Sequence, residues 1–157
     1  MFFSGSVIES TTSPITLILS NANYQMKLVI VVDSISFQLP ITQLLISGKD
    51  VKANVCESTL SYLEHVTAVI SLVSGERGKI LINLISPSNT TSSLLELRRF
   101  DASLDGFKSW PFMSVHFWGE SVVGLWRLEI INLSDRDLVF KEWFLKFYGT
   151  ELRNAYL

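Results

Sequence analysis

Alternating apolar and polar residues dominate the chain from Glu64 onward. A period of two residues is the mark of a β-strand that buries one face. The alternation predicts five strands, at Glu64–Val73, Lys79–Ile85, Phe112–Trp118, Leu125–Ile131 and Glu142–Tyr148. The third of these is the least regular, because aromatic residues occupy both of its faces.

Turn-forming residues separate these runs. Ser74–Gly78, Ser86–Asn89 and Asp105-Gly106 combine Gly, Pro, Asn and Asp, which set or tolerate the backbone angles of tight turns. The sequence contains no convincing amphipathic helix and no internal repeat. Short strands joined by turns predict an all-β fold, namely an antiparallel β-sandwich or jelly roll.

Composition points to one ordered domain with an unusual beginning. The 157 residues are 48% hydrophobic and 18% charged, which favours a packed core over disorder. The 13 basic residues form no patch, which argues against a nucleic-acid partner. Residues 1–46 hold few charges, and all four tryptophans lie after residue 109. We therefore divide the chain into an atypical N-terminal segment (1–46), a main domain (47–150) and a short tail (151–157). An incomplete or wrongly assigned start is one interpretation of the first segment.

The chain carries no recognisable targeting or membrane-spanning segment. Met1–Ser20 has no basic n-region and is interrupted by Glu9, so no signal peptide is evident. The apolar runs Ile15–Leu19, Leu28–Val32 and Leu39–Ile46 are too short to cross a bilayer. We predict no transmembrane helix.

Catalytic groups are not evident either. A serine triad needs an activated serine, a base and an orienting carboxylate, and the Gly-x-Ser-x-Gly elbow is absent. His65 and His116 fall inside predicted strands, where we expect structural roles. The single cysteine, Cys56, is either a buried free thiol or part of an intermolecular bridge. One cysteine and two separated histidines do not make a standard zinc site, so we predict no metal centre of this kind.

The predicted loops hold weaker candidates. Asp101 and Asp105 flank a loop that offers oxygens to calcium, but calcium takes about six to eight ligands, and a solvated acidic loop is the alternative. Arg98-Arg99 is either a processing site or a solvated basic pair. Asn89-Thr90-Thr91 and Asn132-Leu133-Ser134 are N-glycosylation triplets in predicted turns.

Several longer motifs follow one another in the second part of the chain. They are Leu63–Val66, Leu84–Ser88 with Thr90, Leu94-Leu95 with Arg98 and Asp101, Gly106–Glu120, Gly124–Ile130 and Trp143–Thr150. In this order they resemble the P domain, or Homo B domain, of the kexin- and furin-like proprotein convertases, which are subtilisin-like serine endopeptidases. The match is strongest over 64–150. The resemblance implies an antiparallel sandwich of the galactose-binding-domain-like kind.

The resemblance also implies a function. It implies a non-catalytic P domain of a calcium-dependent convertase that processes proproteins at paired basic residues in the secretory pathway, in the Golgi or after secretion. The domain would stabilise and regulate a catalytic domain that this chain lacks, in cis or in trans, so we expect no activity from the chain alone. Calcium is implied for the parent enzymes, and no cofactor for this chain. The alternative is a stand-alone β-sandwich that binds protein or carbohydrate through the loops around Asn89 and Asp101–Gly106.

The aromatic residues divide into two predicted groups. Trp126 and Trp143 are predicted to fill the core, since each large ring buries about 150–250 Å². The candidates for a domain interface are Trp110, Phe112, His116 and Trp118. The sequence departs from the family at Arg77-Gly78-Lys79, where the family often carries Arg-Gly-Asp. Subtilisin-like catalytic motifs are absent.

Overall fold

The computed structural model describes residues 6–9, 15–20, 27–33, 40–41, 44–51, 60, 62–73 and 76–150. Within them the chain forms eleven strands and one 3₁₀ turn. The strands are β1 (Ser6–Glu9), β2 (Ile15–Ser20), β3 (Lys27–Asp33), β4 (Pro40–Ile41), β5 (Leu44–Val51), β6 (Tyr62–Val73), β7 (Ile80–Ile85), β8 (Thr91–Leu95), β9 (Phe107–Ser114), β10 (Gly124–Asn132) and β11 (Leu138–Thr150). The 3₁₀ turn spans Arg77–Lys79.

The strands form two sheets that share one core. One sheet has the order β1-β5-β10-β7-β8, and the other has the order β2-β3-β11-β6-β9, with β4 paired to β11. All these pairs are antiparallel except β1 with β5. The last strands of the two sheets, β8 and β9, approach each other where the Ser92 and Ser114 hydroxyls lie 2.7 Å apart. The predicted antiparallel β-sandwich is confirmed.

The alternating pattern located four of its five predicted strands, which are β6, β7, β10 and β11. The prediction for Phe112–Trp118 is wrong in its bounds, because β9 begins at Phe107 and ends at Ser114, and residues 116–119 form a turn. The apolar residues of that turn continue the alternation past the end of the strand. The pattern also missed β8, whose first residues are a threonine and two serines.

Two tryptophans and their neighbours fill the space between the sheets. Trp126 is 0% exposed and Trp143 1% exposed, as predicted. The Trp126 ring packs against Phe117 and Phe147, with centroids 5.1 and 5.2 Å away. Its indole nitrogen donates to the Val122 carbonyl at 2.8 Å, so the one polar atom of this large ring is satisfied.

The N-terminal segment contributes backbone to both sheets. β3 pairs with β11 from Lys27 opposite Gly149 to Asp33 opposite Trp143, and β1 extends the other sheet beyond β5. Cys56 and the tail 151–157 lie outside the described residues, so the predictions about them stay predictions. Among the residues described, none belongs to a helix with the length and hydrophobicity of a membrane span.

Candidate functional site

Strand β9 is the last strand of its sheet and pairs with β6. Pro111 suits this position, since an edge strand leaves room for a residue without a backbone N–H. The register shifts between Ile70 and Leu72, and the Ser71 hydroxyl there accepts a hydrogen bond from the Ser109 backbone nitrogen at 3.0 Å. Ser109 has a φ of 45°. This irregularity changes the direction of β9 just before its tryptophan.

The aromatic residues of β9 therefore occupy different environments. Phe107 and Phe112 are buried, with their centroids 5.3 Å apart and their rings edge to face. Trp110 contacts the Phe107 ring edge-on at 5.8 Å and stays 49% exposed. Phe112 was predicted at a domain interface; in the structure it belongs to the core, because it occupies an inward-facing position of the strand.

The turn after β9 is held by a buried aromatic residue and by backbone hydrogen bonds between Gly119, Glu120 and Leu63. Phe117 is 0% exposed and packs edge-on against Trp126. Its neighbours His116 and Trp118 are exposed, Trp118 by 70%. The prediction that His116 lies in a strand is wrong, since this residue belongs to the turn. His65 does lie in β6, where its ring stacks on Tyr148 at 4.2 Å.

Exposed apolar side chains line β9 and its turn. We call them the β9 strip, and they are Trp110, Met113, Val115 and Trp118, each 49% to 70% exposed. Between Ser109 and Gly119 the sequence holds a single ionisable side chain, that of His116. In the pairing of β9 with β6, Trp110 lies on the same face as Phe112, and Met113 lies on the opposite face, so the exposed side chains border the sheet edge from both sides. Exposed apolar side chains of low charge are typical of protein–protein contacts. Sequence reasoning did not single out Met113, Val115 or Phe117, although the nearly unbroken apolar run from 110 to 118 was a usable signal.

A second group of side chains, which we call the Asp101 cluster, lies before β9. The Asp101 carboxylate accepts hydrogen bonds from Arg77 Nε at 2.8 Å and from Arg77 Nη2 at 3.2 Å. It also forms an ion pair with Arg98 Nη2 at 2.9 Å. Both guanidinium groups also lie 5.8 Å from the centroid of the Phe107 ring. The hydrogen bond from Arg77 lowers the pKa of Asp101 and raises the pKa of Arg77.

The backbone fixes the same cluster. Gly78 donates to the Asp101 carbonyl at 2.8 Å, and Arg98 donates to the Gly78 carbonyl at 2.9 Å. A Cβ on Gly78 would lie 2.2 Å from the Arg98 oxygen and 2.4 Å from the Asp101 oxygen, so this position requires glycine. Arg77 and Gly78 thus hold the loop before β9 in place. Lys79 pairs with Glu76 at 2.8 Å.

The Asp101 cluster is a poor fit for calcium. Both carboxylate oxygens of Asp101 accept from guanidinium groups, and one accepts from the Ser103 nitrogen as well. Asp105 is exposed and contacts the Ser103 hydroxyl at 3.1 Å. Calcium needs about six to eight oxygen ligands, and two arginines repel a cation. Within the described part of the chain, no three Asp, Glu, His or Cys residues come together as metal ligands.

An open cavity of about 440 Å³ adjoins the Asp101 cluster. Its wall includes Glu76 with Lys79, and Arg98 with Asp101. Each of these pairs is already an ion pair, and Arg99 adds a further positive charge to the wall.

The two glycosylation triplets lie in different settings. Asn89 belongs to the turn between β7 and β8, as predicted, and is exposed. Asn132 is the last residue of β10 and is 3% exposed, so the prediction that it lies in a turn is wrong. Its amide nitrogen donates to the Arg136 carbonyl at 2.8 Å and its oxygen accepts from the Ser134 nitrogen at 3.0 Å. A glycan on Asn132 does not fit the folded domain.

Comparison with known sequences finds one family. The model of the proprotein convertase P-domain matches residues 63–147. Furin-like protease 1, isoform 1-CRR, of Drosophila melanogaster is 51% identical over 98 residues, which are 62% of this chain and 9% of that protein. Protease KEX1 of Kluyveromyces lactis is 41% identical over 105 residues, which are 66% of this chain and 13% of that protein. The chain thus spans about a tenth of the length of these relatives.

Solved structures show the same fold at low sequence identity. The Aeromonas sobria serine protease in complex with its chaperone matches with a TM-score of 0.60 and 18% identity, over 91% of this chain and 28% of that chain. The serine protease of Aeromonas sobria alone matches with a TM-score of 0.59 over 89% of this chain and 28% of that chain. The sandwich therefore recurs as one part of a larger protease chain.

Proposed function

Because the chain belongs to the proprotein convertase P-domain family, we propose that it packs against the catalytic domain of a subtilisin-like convertase and stabilises it. The observation that carries this proposal is the β9 strip, whose four apolar side chains are at least 49% exposed. Shielding such a surface from water is favourable and stabilises both contacting domains. The catalytic domain acts in cis within a longer product or in trans.

The chemistry of the strip also defines its partner surface. Trp110 and Trp118 supply large rings with few rotatable bonds, and tryptophan is enriched among the residues that dominate binding energy. His116 is the sole ionisable residue between Ser109 and Gly119, so we expect a largely apolar partner surface. A non-catalytic, regulatory role agrees with the sequence, in which subtilisin-like catalytic motifs are absent.

Other properties of the whole enzyme enter as parts of the same proposal. The convertase processes precursors at paired basic residues in the secretory pathway. The calcium on which the enzyme depends binds outside the Asp101 cluster, because two guanidinium groups already neutralise the Asp101 carboxylate. This occupied carboxylate also gives little support to the alternative of a stand-alone binding module that uses the loop Asp101–Gly106.

A domain graft tests the proposal. Residues 1–157 replace the P domain of Furin-like protease 1 from Drosophila melanogaster, and secreted activity is measured on a fluorogenic paired-basic peptide. We expect the graft to be secreted and active. The double substitution Trp110→Ser with Trp118→Ser should lower the secreted activity of the graft about tenfold or more. This is the size of effect expected when aromatic residues that dominate an interface are lost.

A matched control separates docking from loss of exposed apolar surface in general. Leu97 and Phe100 are 52% and 94% exposed and lie in the loop before β9. Their double substitution to Ser should leave active enzyme within about twofold of the graft. The proposal fails if the graft is no more active than the catalytic domain without a P domain, or if the two double variants behave alike.

A further inference from the structure

The turn between β7 and β8 presents an asparagine at its apex. The Asn89 nitrogen donates to the Ser86 carbonyl at 2.9 Å, and the Ser86 nitrogen donates to the Thr90 carbonyl at 2.9 Å. Three residues, 87–89, thus lie between the ends of the hairpin, and the last of them has a positive φ of 64°. Asparagine is one of the few residues besides glycine that adopts this conformation readily. The turn therefore has a structural reason to place asparagine here.

The side chain of Asn89 is oriented by its neighbour. Arg127 Nη2 donates a hydrogen bond to the Asn89 Oδ1 atom. Among the described residues, none accepts a hydrogen bond from the amide nitrogen, and the residue is exposed. Thr91, which supplies the hydroxyl of the triplet, is exposed on the edge strand β8. Both groups that an oligosaccharyl transferase recognises are accessible together.

We propose that Asn89 carries an N-linked glycan and that Asn132 does not. In the transfer, the Asn89 Nδ2 atom forms a bond to the anomeric carbon of a lipid-linked oligosaccharide. The bond from that carbon to the pyrophosphate oxygen breaks, lipid pyrophosphate leaves, and the amide proton passes to a base on the transferase. No atom changes oxidation state. The inference rests on the proposed function for the entry of the chain into the secretory pathway.

The geometry of the turn is compatible with the modification after folding. A glycosylated amide keeps its carbonyl oxygen as an acceptor, so the contact with Arg127 persists. The opposite holds for Asn132, whose amide is 3% exposed and donates to the Arg136 carbonyl within the fold. A glycan there would force the end of β10 apart, so folded protein carries a single glycan.

The experiment imposes entry into the secretory pathway. The full chain is expressed in cultured animal cells behind a heterologous signal peptide, and gel mobility is compared before and after treatment with an amidase that removes N-linked glycans. The variants are Asn89→Gln, Asn132→Gln, Thr91→Ala and Thr90→Ala. The last is the matched control, because it changes a neighbouring threonine and leaves the triplet intact. Cell lysate is analysed as well as medium, so the result for Asn89 does not depend on export, and the exported protein reports on Asn132 in the folded state, where a second glycan would overturn the inference.

We expect the wild type, Asn132→Gln and Thr90→Ala to lose the mass of one glycan on treatment. Asn89→Gln and Thr91→Ala should show no change. The inference is overturned if the wild type carries no glycan although its signal peptide has been removed, or if Asn89→Gln keeps the full glycan mass. Neither result bears on docking to a catalytic domain, which the domain graft measures separately.

Discussion

The segments on either side of β9 are held in place by opposite means. The loop before the strand is fixed by the Asp101 cluster, in which a carboxylate at the surface accepts from Arg77 and Arg98. The turn after the strand is fixed by the buried ring of Phe117 against Trp126. Both segments expose apolar side chains, but their anchors respond to different conditions.

This difference indicates which segment suits domain docking. An apolar anchor contains no titratable group and adds no fixed charge to the surface beside it. Charged groups surround the exposed residues Leu97 and Phe100 before β9, where Arg98 and Arg99 lie between them. The exposed residues after β9 have a single histidine among them. Desolvating the second segment therefore costs less than desolvating the first.

The largest effect is expected from removing the apolar anchor. Phe117→Ala deletes a ring that is 0% exposed and packed against Trp126, and we expect a loss of about 3–5 kcal/mol in the free energy of unfolding. Chemical denaturation of the purified chain, followed by tryptophan fluorescence, measures this loss.

The neighbouring residue provides the control for that substitution. Trp118 is 70% exposed, so Trp118→Ala should change the free energy of unfolding by no more than about 0.5 kcal/mol. Equal destabilisation by the two substitutions would show that Phe117 does not anchor the turn.

Much of the sandwich was predictable because its strands bury one face each. Leu128 and Ile130 in β10 are buried between less buried neighbours, and this pattern is local in sequence. The end of β9 was not predictable in the same way. Apolar residues continue at alternate positions past Ser114 as far as Phe117, so periodicity alone extended the strand by four residues. Phe117 is nevertheless buried in a turn, out of phase with the buried Phe112 and Ser114 of the strand.

The candidate sites were harder to predict, because their partners are distant in sequence. Asp101 was identified as a loop carboxylate, but its partner Arg77 is 24 residues away and is brought to it by the path of the chain. Trp110 lies at a register shift between β6 and β9, which no local pattern encodes. Sequence motifs could identify the family, but not which of their aromatic residues face solvent.

A moderate effect is expected from weakening the polar anchor. Asp101→Asn keeps the shape of the side chain and removes the charge that Arg77 and Arg98 pair with, so the loop should open more often. Opening frees the backbone at Arg98, which the closed loop holds by hydrogen bonds to Gly78 and Asp101, and we expect trypsin to cleave there several-fold faster than in the wild type. Mass spectrometry of the early fragments locates the cut.

The control for cleavage is the other aspartate of the loop. Asp105 contacts the Ser103 hydroxyl and pairs with no arginine in the described structure, so Asp105→Asn should be cleaved at nearly the wild-type rate. Equal acceleration by both substitutions would mean that loss of charge in the loop, rather than the Asp101 cluster, controls access.

The smallest effect is a pH dependence that distinguishes the two anchors. The hydrogen bond from Arg77 lowers the pKa of Asp101 from its usual value of 3.8, so the folded state binds this proton less readily than the unfolded state. The stabilisation is complete above the usual value and is lost as the pH falls through the lower folded value. Unfolding midpoints should therefore separate the wild type from Asp101→Asn by a constant amount from pH 7 to about pH 5, and by less at lower pH. The difference in unfolding midpoint between the wild type and Phe117→Ala contains no contribution from the Asp101 carboxylate. It should therefore stay nearly constant from pH 7 to the lowest pH measured. If the difference between the wild type and Asp101→Asn does not shrink as the pH falls below 3.8, Asp101 is not the group that holds the loop.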